Sequence, residues 1–375
     1  MIRNIRRAMV AVGAVVAVTA ALSARAYTTG ETVFVMSNSA SRNEVIAYSE
    51  SGDGHFYETH RYATGGRGSG GTTDPLQSQG SLTLSTDHTL LFAVNSGSGT
   101  VSVFRVDRSS LYLVDQVPSG GSDPLAVAQR GHLVYVLNAA GSGSIVGFEL
   151  DSGGHLRQID NSTTYLPSAN SGGSSISISP DGAFLSVTER LPNNIDTFRI
   201  DPNGTVSPIV VNNSTAPGVF AAVFAPGGSL IVSETGPAGS TDESAISSYA
   251  VQADGTLSAV SQSVPTQGTA NCWNAVAPNG KWVYVSNAGS STISGFAIGQ
   301  GGTLTPIDGT VVGTNPAGST NLDIAVSGDS KYVFTLNAGS GTIGIFATTS
   351  DGSLTSAGEI DGLPKSGGFN GIAAP

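Results

Sequence analysis

Side chains able to do chemistry are sparse in this sequence, so each one is informative. The five histidines, His55, His60, His88, His132 and His155, fit no spacing that would gather zinc ligands. His55 and His60 lie five apart, on opposite faces if the segment is a strand, and exposed or turn positions are expected for all five. Cys272 is the only cysteine, which excludes an intramolecular disulfide. Its place beside Trp273 predicts a buried, inert thiol. Glycine-rich runs such as 65–71 have no helix behind them to supply a phosphate-binding dipole and are read as flexible loop. No GxSxG elbow, P-loop or dinucleotide fingerprint occurs, and no cofactor is implied. What remains is acid chemistry, above all Glu189 with Arg190 next to it, and Asp323.

These residues sit inside a repeat. Four near-identical copies begin at Ala93 (AVNSGSGTVSVF), Val136 (VLNAAGSGSIVGF), Val285 (VSNAGSSTISGF) and Thr335 (TLNAGSGTIGIF). Divergent copies begin at Val35, Ser186 and Ile231. Their turn residues Asn38, Asn95, Asn138, Glu189, Glu234, Asn287 and Asn337 recur about every 50 residues, the length of a four-stranded propeller blade. In the seventh copy the strands are read as 323–327, 331–336, 342–347 and 354–360, separated by Gly328-Asp329 and Asp351-Gly352 turns. The tail Phe369–Pro375 matches a first strand, whereas the first copy begins at its second strand, Thr32 to Asn38. The tail therefore supplies the missing strand. The expected fold is all-β: one domain, 27–375, forming a seven-bladed propeller of four-stranded antiparallel blades closed by the C-terminal strand.

Counting back from each turn, strand alternation aims one residue per blade at the central channel: Asn370, Ser81, Pro124, Ser175, Ala221, Trp273 and Asp323. This ring holds no Lys or Arg, so it lacks the charge-assisted donors that a phosphate needs. Arg190 at the rim is the nearest cation. Ser175, Trp273, Asp323 and Asn370 are the expected ligand contacts.

The segments PDGAFLSVTE, PNGKWVYVSN and SGDSKYVFTLN, each followed by a small-residue turn and an aromatic-ended strand, resemble the repeat of the lactonase-family propellers. That family includes bacterial 6-phosphogluconolactonases, and its repeat is similar to the Tyr-Val-Thr-Asn repeats of surface proteins. The resemblance spans residues 32–375 and implies chemistry at the channel mouth, carried by a Pro-Arg-His segment on an inner strand and an Asn-Glu pair ending the next. Here that blade reads Gly173-Ser174-Ser175 and Thr188-Glu189-Arg190. Glu189 matches the family Glu, but Ser174 and Ser175 replace its Arg and His. A serine without a base cannot shuttle the proton that a histidine would.

Two readings of Glu189 follow: a general base raised by burial, or a carboxylate that caps the turn where sister blades use Asn. The missing His and Arg favour a propeller that binds a glycan, peptide or small molecule without catalysis. The retained Glu189 supports the alternative, hydrolysis of an unphosphorylated sugar lactone with Arg190 orienting the carbonyl.

Arg3, Arg6 and Arg7, the apolar run Ala8 to Leu22 and Ala24-Arg25-Ala26 read as a signal peptide over 1–26. A secreted or periplasmic protein follows, with Tyr27 first and no membrane span in the mature chain. The full chain carries a net charge of −11, and losing that segment makes it more acidic, which argues against nucleic acid as a partner. A monomer is expected. Asn161, Asn203, Asn212 and Asn213 begin glycosylation sequons, meaningful only in a eukaryotic secretory route.

Overall fold

The structure, a computed structural model, describes residues 30–52 and 54–375. The proposed signal peptide and its cleavage site lie outside these residues. Among the described residues, no helix is long and apolar enough to cross a membrane.

Seven antiparallel sheets follow one another along the chain, each four strands deep in path. Their second strands, such as Leu90–Asn95, Leu133–Asn138, Trp282–Asn287 and Tyr332–Asn337, are almost continuously apolar because they are covered on both faces. Third strands carry an aromatic side chain, including Phe104, Phe148, Phe198, Tyr249, Phe296 and Phe346, and all of these are buried. Each contributes about 1.5–3 kcal/mol of apolar burial. The core is therefore a series of layers between neighbouring sheets rather than one central mass.

The hairpin from first to second strand uses one device repeatedly. Ser85, Ser179 and Ser327 donate their hydroxyls to Asp87, Asp181 and Asp329 at 2.6, 2.5 and 2.9 Å. Each aspartate also accepts the backbone N–H two residues on, from Thr89, Ala183 and Lys331. In each of these Asx turns the residue after the aspartate is left-handed, His88, Gly182 and Ser330 at φ +59°, +73° and +63°.

Inner strands touch their neighbours all the way round: Leu82–Leu84, Pro124–Arg130, Gly173–Ile178, Val219–Phe224, Asn271–Val276, Asn321–Val326 and Ile372–Ala373. The last belongs to blade one, pairing Ala373 with Phe34 and Ile372 with Val35. Asp323 fastens this joint from blade seven, accepting the Ile372 N–H at 3.2 Å and its neighbour Ile324 N–H at 2.9 Å. The seven-bladed ring and its closure by the tail agree with the sequence reading.

Run 65–71, read as flexible, is pinned. Gly68 and Gly70 N–H groups bond the carbonyls of Ser39 and Asn38, and Asn38 donates to Ser69 Oγ at 3.0 Å. A Cβ on Gly68 would lie 2.2 Å from Asn38 backbone, and one on Gly66 only 2.4 Å from the Asn95 amide carbon. The glycines are there for close approach.

Candidate functional site at the channel mouth

Second strands end, and inner strands begin, at the same end of the ring, and here a loop crosses the channel. Residues 72–80 lead from the outer strand of blade one to the inner strand of blade two. On the way Gln79 reaches two distant blades. Its backbone N–H donates to Ser174 O of blade four at 2.8 Å. Its amide makes a reciprocal pair with the Asn274 backbone of blade six, Nε2 donating to O at 2.7 Å and Oε1 accepting N–H at 3.0 Å. Trp273 gives its indole N–H to Ser78 O at 3.0 Å, and Ser78 Oγ bonds Leu125 O of blade three at 3.1 Å. The mouth is thereby bridged rather than open.

The same loop brings Asp74 to the rim. Its Oδ1 accepts Asn370 Nδ2 at 2.8 Å and the Gln77 N–H at 3.0 Å. Burial raises the Asp74 carboxyl above its ordinary value, opposed by these hydrogen bonds and by the positive charge of Arg190. The Arg190 guanidinium is itself half-buried, lies 5.8 Å above the Phe220 ring, and uses Nε to bond Gly172 O at 3.3 Å. Phe220 meets Trp273 edge to face at 5.1 Å. Among the described residues no carboxylate comes within 4 Å of Arg190. A desolvated guanidinium with spare N–H groups and a basic carboxylate within electrostatic range is an arrangement for holding a polar, oxygen-rich ligand. Asn370 Oδ1 and Ser81 Oγ, both buried, have no hydrogen-bond partner.

Of the residues singled out in the sequence, Arg190 and Asn370 meet at this mouth, with Asp74 between them in effect. The others are engaged in packing. Ser175 Oγ bonds Thr188 Oγ1 and accepts the Ala222 N–H, each at 2.9 Å, joining blades four and five. Trp273 is buried behind the crossing loop. Asp323 is buried with both oxygens occupied by backbone N–H groups; burial pushes its carboxyl up to about 7.

Sequence alternation misjudged these orientations because inner strands are bulged. Register slips at Gly173/Ser175, Asn271/Trp273 and Leu322/Ile324 insert an extra residue, respectively Ser174, Cys272 and Asp323. The expected ring thus mixes two phases, Asp323 on the bulge and Ser175 and Trp273 one step past it. Cys272, half-buried, takes the bulge position beside Asp74 and Arg190, and burial drives its thiol well above the usual range.

Glu189 lies elsewhere. It is fully buried, and its carboxylate shares an interior space with Asp196. None of the four oxygens meets a protein donor. In blades two and six the same pair of positions is Asn95 with Ser102 and Asn287 with Ser294, each bonded at 2.8 Å. Glu234 in blade five is fully served by Ser214, Thr215, Ala216 N–H and Ser247. Blade four has lost that service. The backbone bond that brings Thr64, Ser119, Ser214, Thr266 and Asn315 to the turns of other blades brings Leu166 here.

A separate cleft of about 530 Å³ opens at the far end of the ring, lined by Glu31, His88, Arg108, Asp329 and Lys331 among others. Among the described residues no cluster suited to a metal ion occurs.

A family profile described as "Lactonase, 7-bladed beta-propeller" matches residues 24–164, 125–233 and 231–367. No curated protein matches the chain in sequence. Among solved structures it is similar to a candidate 6-phosphogluconolactonase of Bacteroides uniformis, with 19% identity, 92% of this chain and 100% of that one covered, and a TM-score of 0.68. It is also similar to the periplasmic gluconolactonase PpgL of Pseudomonas aeruginosa, with 16% identity, 92% and 98% coverage, and a TM-score of 0.65. At such identities the likeness speaks for the fold.

Proposed function

Since the chain belongs to the lactonase family of seven-bladed β-propellers, we propose that its channel mouth binds and hydrolyses an unphosphorylated sugar lactone or related lactone. The observation that carries this reading is the half-buried Arg190, with no carboxylate within 4 Å among the described residues yet close enough to Asp74 for each to act on the other's ionisation. Arg190 would face the lactone carbonyl oxygen. The free Oδ2 of Asp74, its basicity raised by burial, would take a proton from water as the hydroxide adds to the carbonyl carbon. Collapse of the tetrahedral oxyanion, held by Arg190, breaks the ring C–O bond; the leaving oxygen takes the proton from Asp74, giving the open hydroxy acid. Phe220, under the Arg190 guanidinium, supplies an apolar floor. Glu189, buried with Asp196, is assigned to the architecture of blade four.

Binding without turnover is the second reading. It is favoured by the absence of histidine from the mouth and by the hydrogen bonds that already hold Asp74 Oδ1. Continuous titration of acid release from a panel of aldonolactones, with wild type and Asp74→Asn, Arg190→Gln and Glu189→Gln, separates the two. Turnover lost in the first two variants and kept in the third supports hydrolysis at the mouth. Saturable binding by calorimetry without acid release supports the second reading, and neither binding nor turnover removes both.

A further inference from the structure

We infer that Gln79 is a positioning residue for the mouth, the clasp that holds the Asp74-bearing loop across the channel; this rests on the proposal that the mouth is the ligand site. Its side chain reaches blade six with both a donor and an acceptor, satisfying the O and N–H of Asn274 together. Its own N–H adds the bond to Ser174 on blade four. The loop holds no helix or strand of its own, and Gly80 at its end, at φ +95°, leaves the chain there without side-chain restraint. Asp74 lies five residues upstream of the clasp and is held from within the loop by the Gln77 N–H and from outside it by Asn370.

The chemistry of the clasp is specific. Alanine removes both bonds. Glutamate keeps the acceptor but turns an anion toward the Asn274 carbonyl, and asparagine is one methylene too short. Gln79 itself is too committed to Asn274 to touch ligand, so its effect passes through Asp74.

The test uses full-length Gln79→Ala and Gln79→Glu beside wild type, with Trp273→Phe as a variant that loses the Ser78 bond but keeps both bonds of Gln79 to Asn274. Hydrogen exchange of peptides covering 72–80 reports the loop with no ligand present. Expected are faster exchange there in both Gln79 variants, with protection elsewhere unchanged, and a fall in kcat/KM of about tenfold or more. The acid limb of the pH profile should also move to lower pH as Asp74 is released to solvent, a change that mere loss of folded protein does not produce. Unchanged exchange in 72–80 overturns the clasp. Faster exchange with unchanged kcat/KM and pH profile overturns the positioning role while leaving the mouth as the ligand site. A wild-type protein that neither binds nor opens any lactone overturns the proposed function itself, and with it this role. Should Gln79→Ala not fold, Gln79→Glu gives the same comparison.

Discussion

Glu189 and Asp196 turn their carboxyl groups into one buried space, and among their four oxygens there is no hydrogen bond from a protein donor. Two buried, unshielded anions side by side would be prohibitive, and the proton falls to Asp196. Burial, followed by the charge of Glu189, pushes Asp196 up to about 8.

The pair makes stability depend on pH in a definite direction. An aspartate in the unfolded chain titrates near about 4, so the proton is held more tightly in the folded state. The stability this brings is complete below about pH 4 and is lost as pH rises through about 8. Glu189→Gln, which restores an amide where sister blades have one, should raise Tm at pH 8 by about 2–5 °C and by much less at pH 5. Calorimetric melts at both pH values decide it. Glu31 and Asp323, each pushed up to about 7, tilt the wild-type curve the same way, so the difference between the proteins isolates the pair. Equal slopes would disprove a proton held on Asp196 by the charge of Glu189.

Closure of the ring predicts a second effect. Asp323→Ala removes the acceptor for both Ile324 and Ile372 N–H groups and should cost about 2–4 kcal/mol. Asp323→Asn, which keeps one of the two acceptors, should cost less. Urea unfolding of both variants checks the order.

For Arg190, substitution by Gln is expected to weaken any lactone or hydroxy-acid ligand by about 10- to 100-fold while Tm stays within about 2 °C, because the guanidinium makes one long bond to Gly172 O and rests on Phe220. Calorimetric titration with the wild type as reference measures the loss. A variant that melts early and binds normally would reverse the assignment.

Cys272 should resist thiol reagents in the native state. Burial, then the negative charge of Asp74, suppress its thiolate. A colorimetric thiol assay at pH 8 is expected to register almost nothing before denaturation and one equivalent afterwards.

Most of the architecture was legible because it is written seven times. Turn residues Asn95, Asn138, Glu189, Asn287 and Asn337 all end second strands as the repeat requires. The tail pairing of Ile372 and Ala373 followed from a repeat that starts one strand late. The site was less legible, for reasons that a period cannot carry. A bulge at Cys272 shifts the alternation by one residue, and Trp273 meets the crossing loop instead of open channel. Asp74 lies in the crossing loop, which is inserted in the longest spacing between turns, from Asn38 to Asn95, and has no counterpart in other blades. The apolar Leu166, which leaves Glu189 and Asp196 to each other, comes from the preceding blade and is distant in sequence.

The pairing of residues 372–373 with 34–35 also governs the order of assembly. A polypeptide emerging N-terminus first can stack its sheets one by one, yet Thr32–Met36 must wait with a bare inner edge until the final residues arrive. Any chain halted before Phe369 keeps that edge open to other molecules, so premature termination should yield sticky, strand-swapping products instead of a slightly smaller propeller.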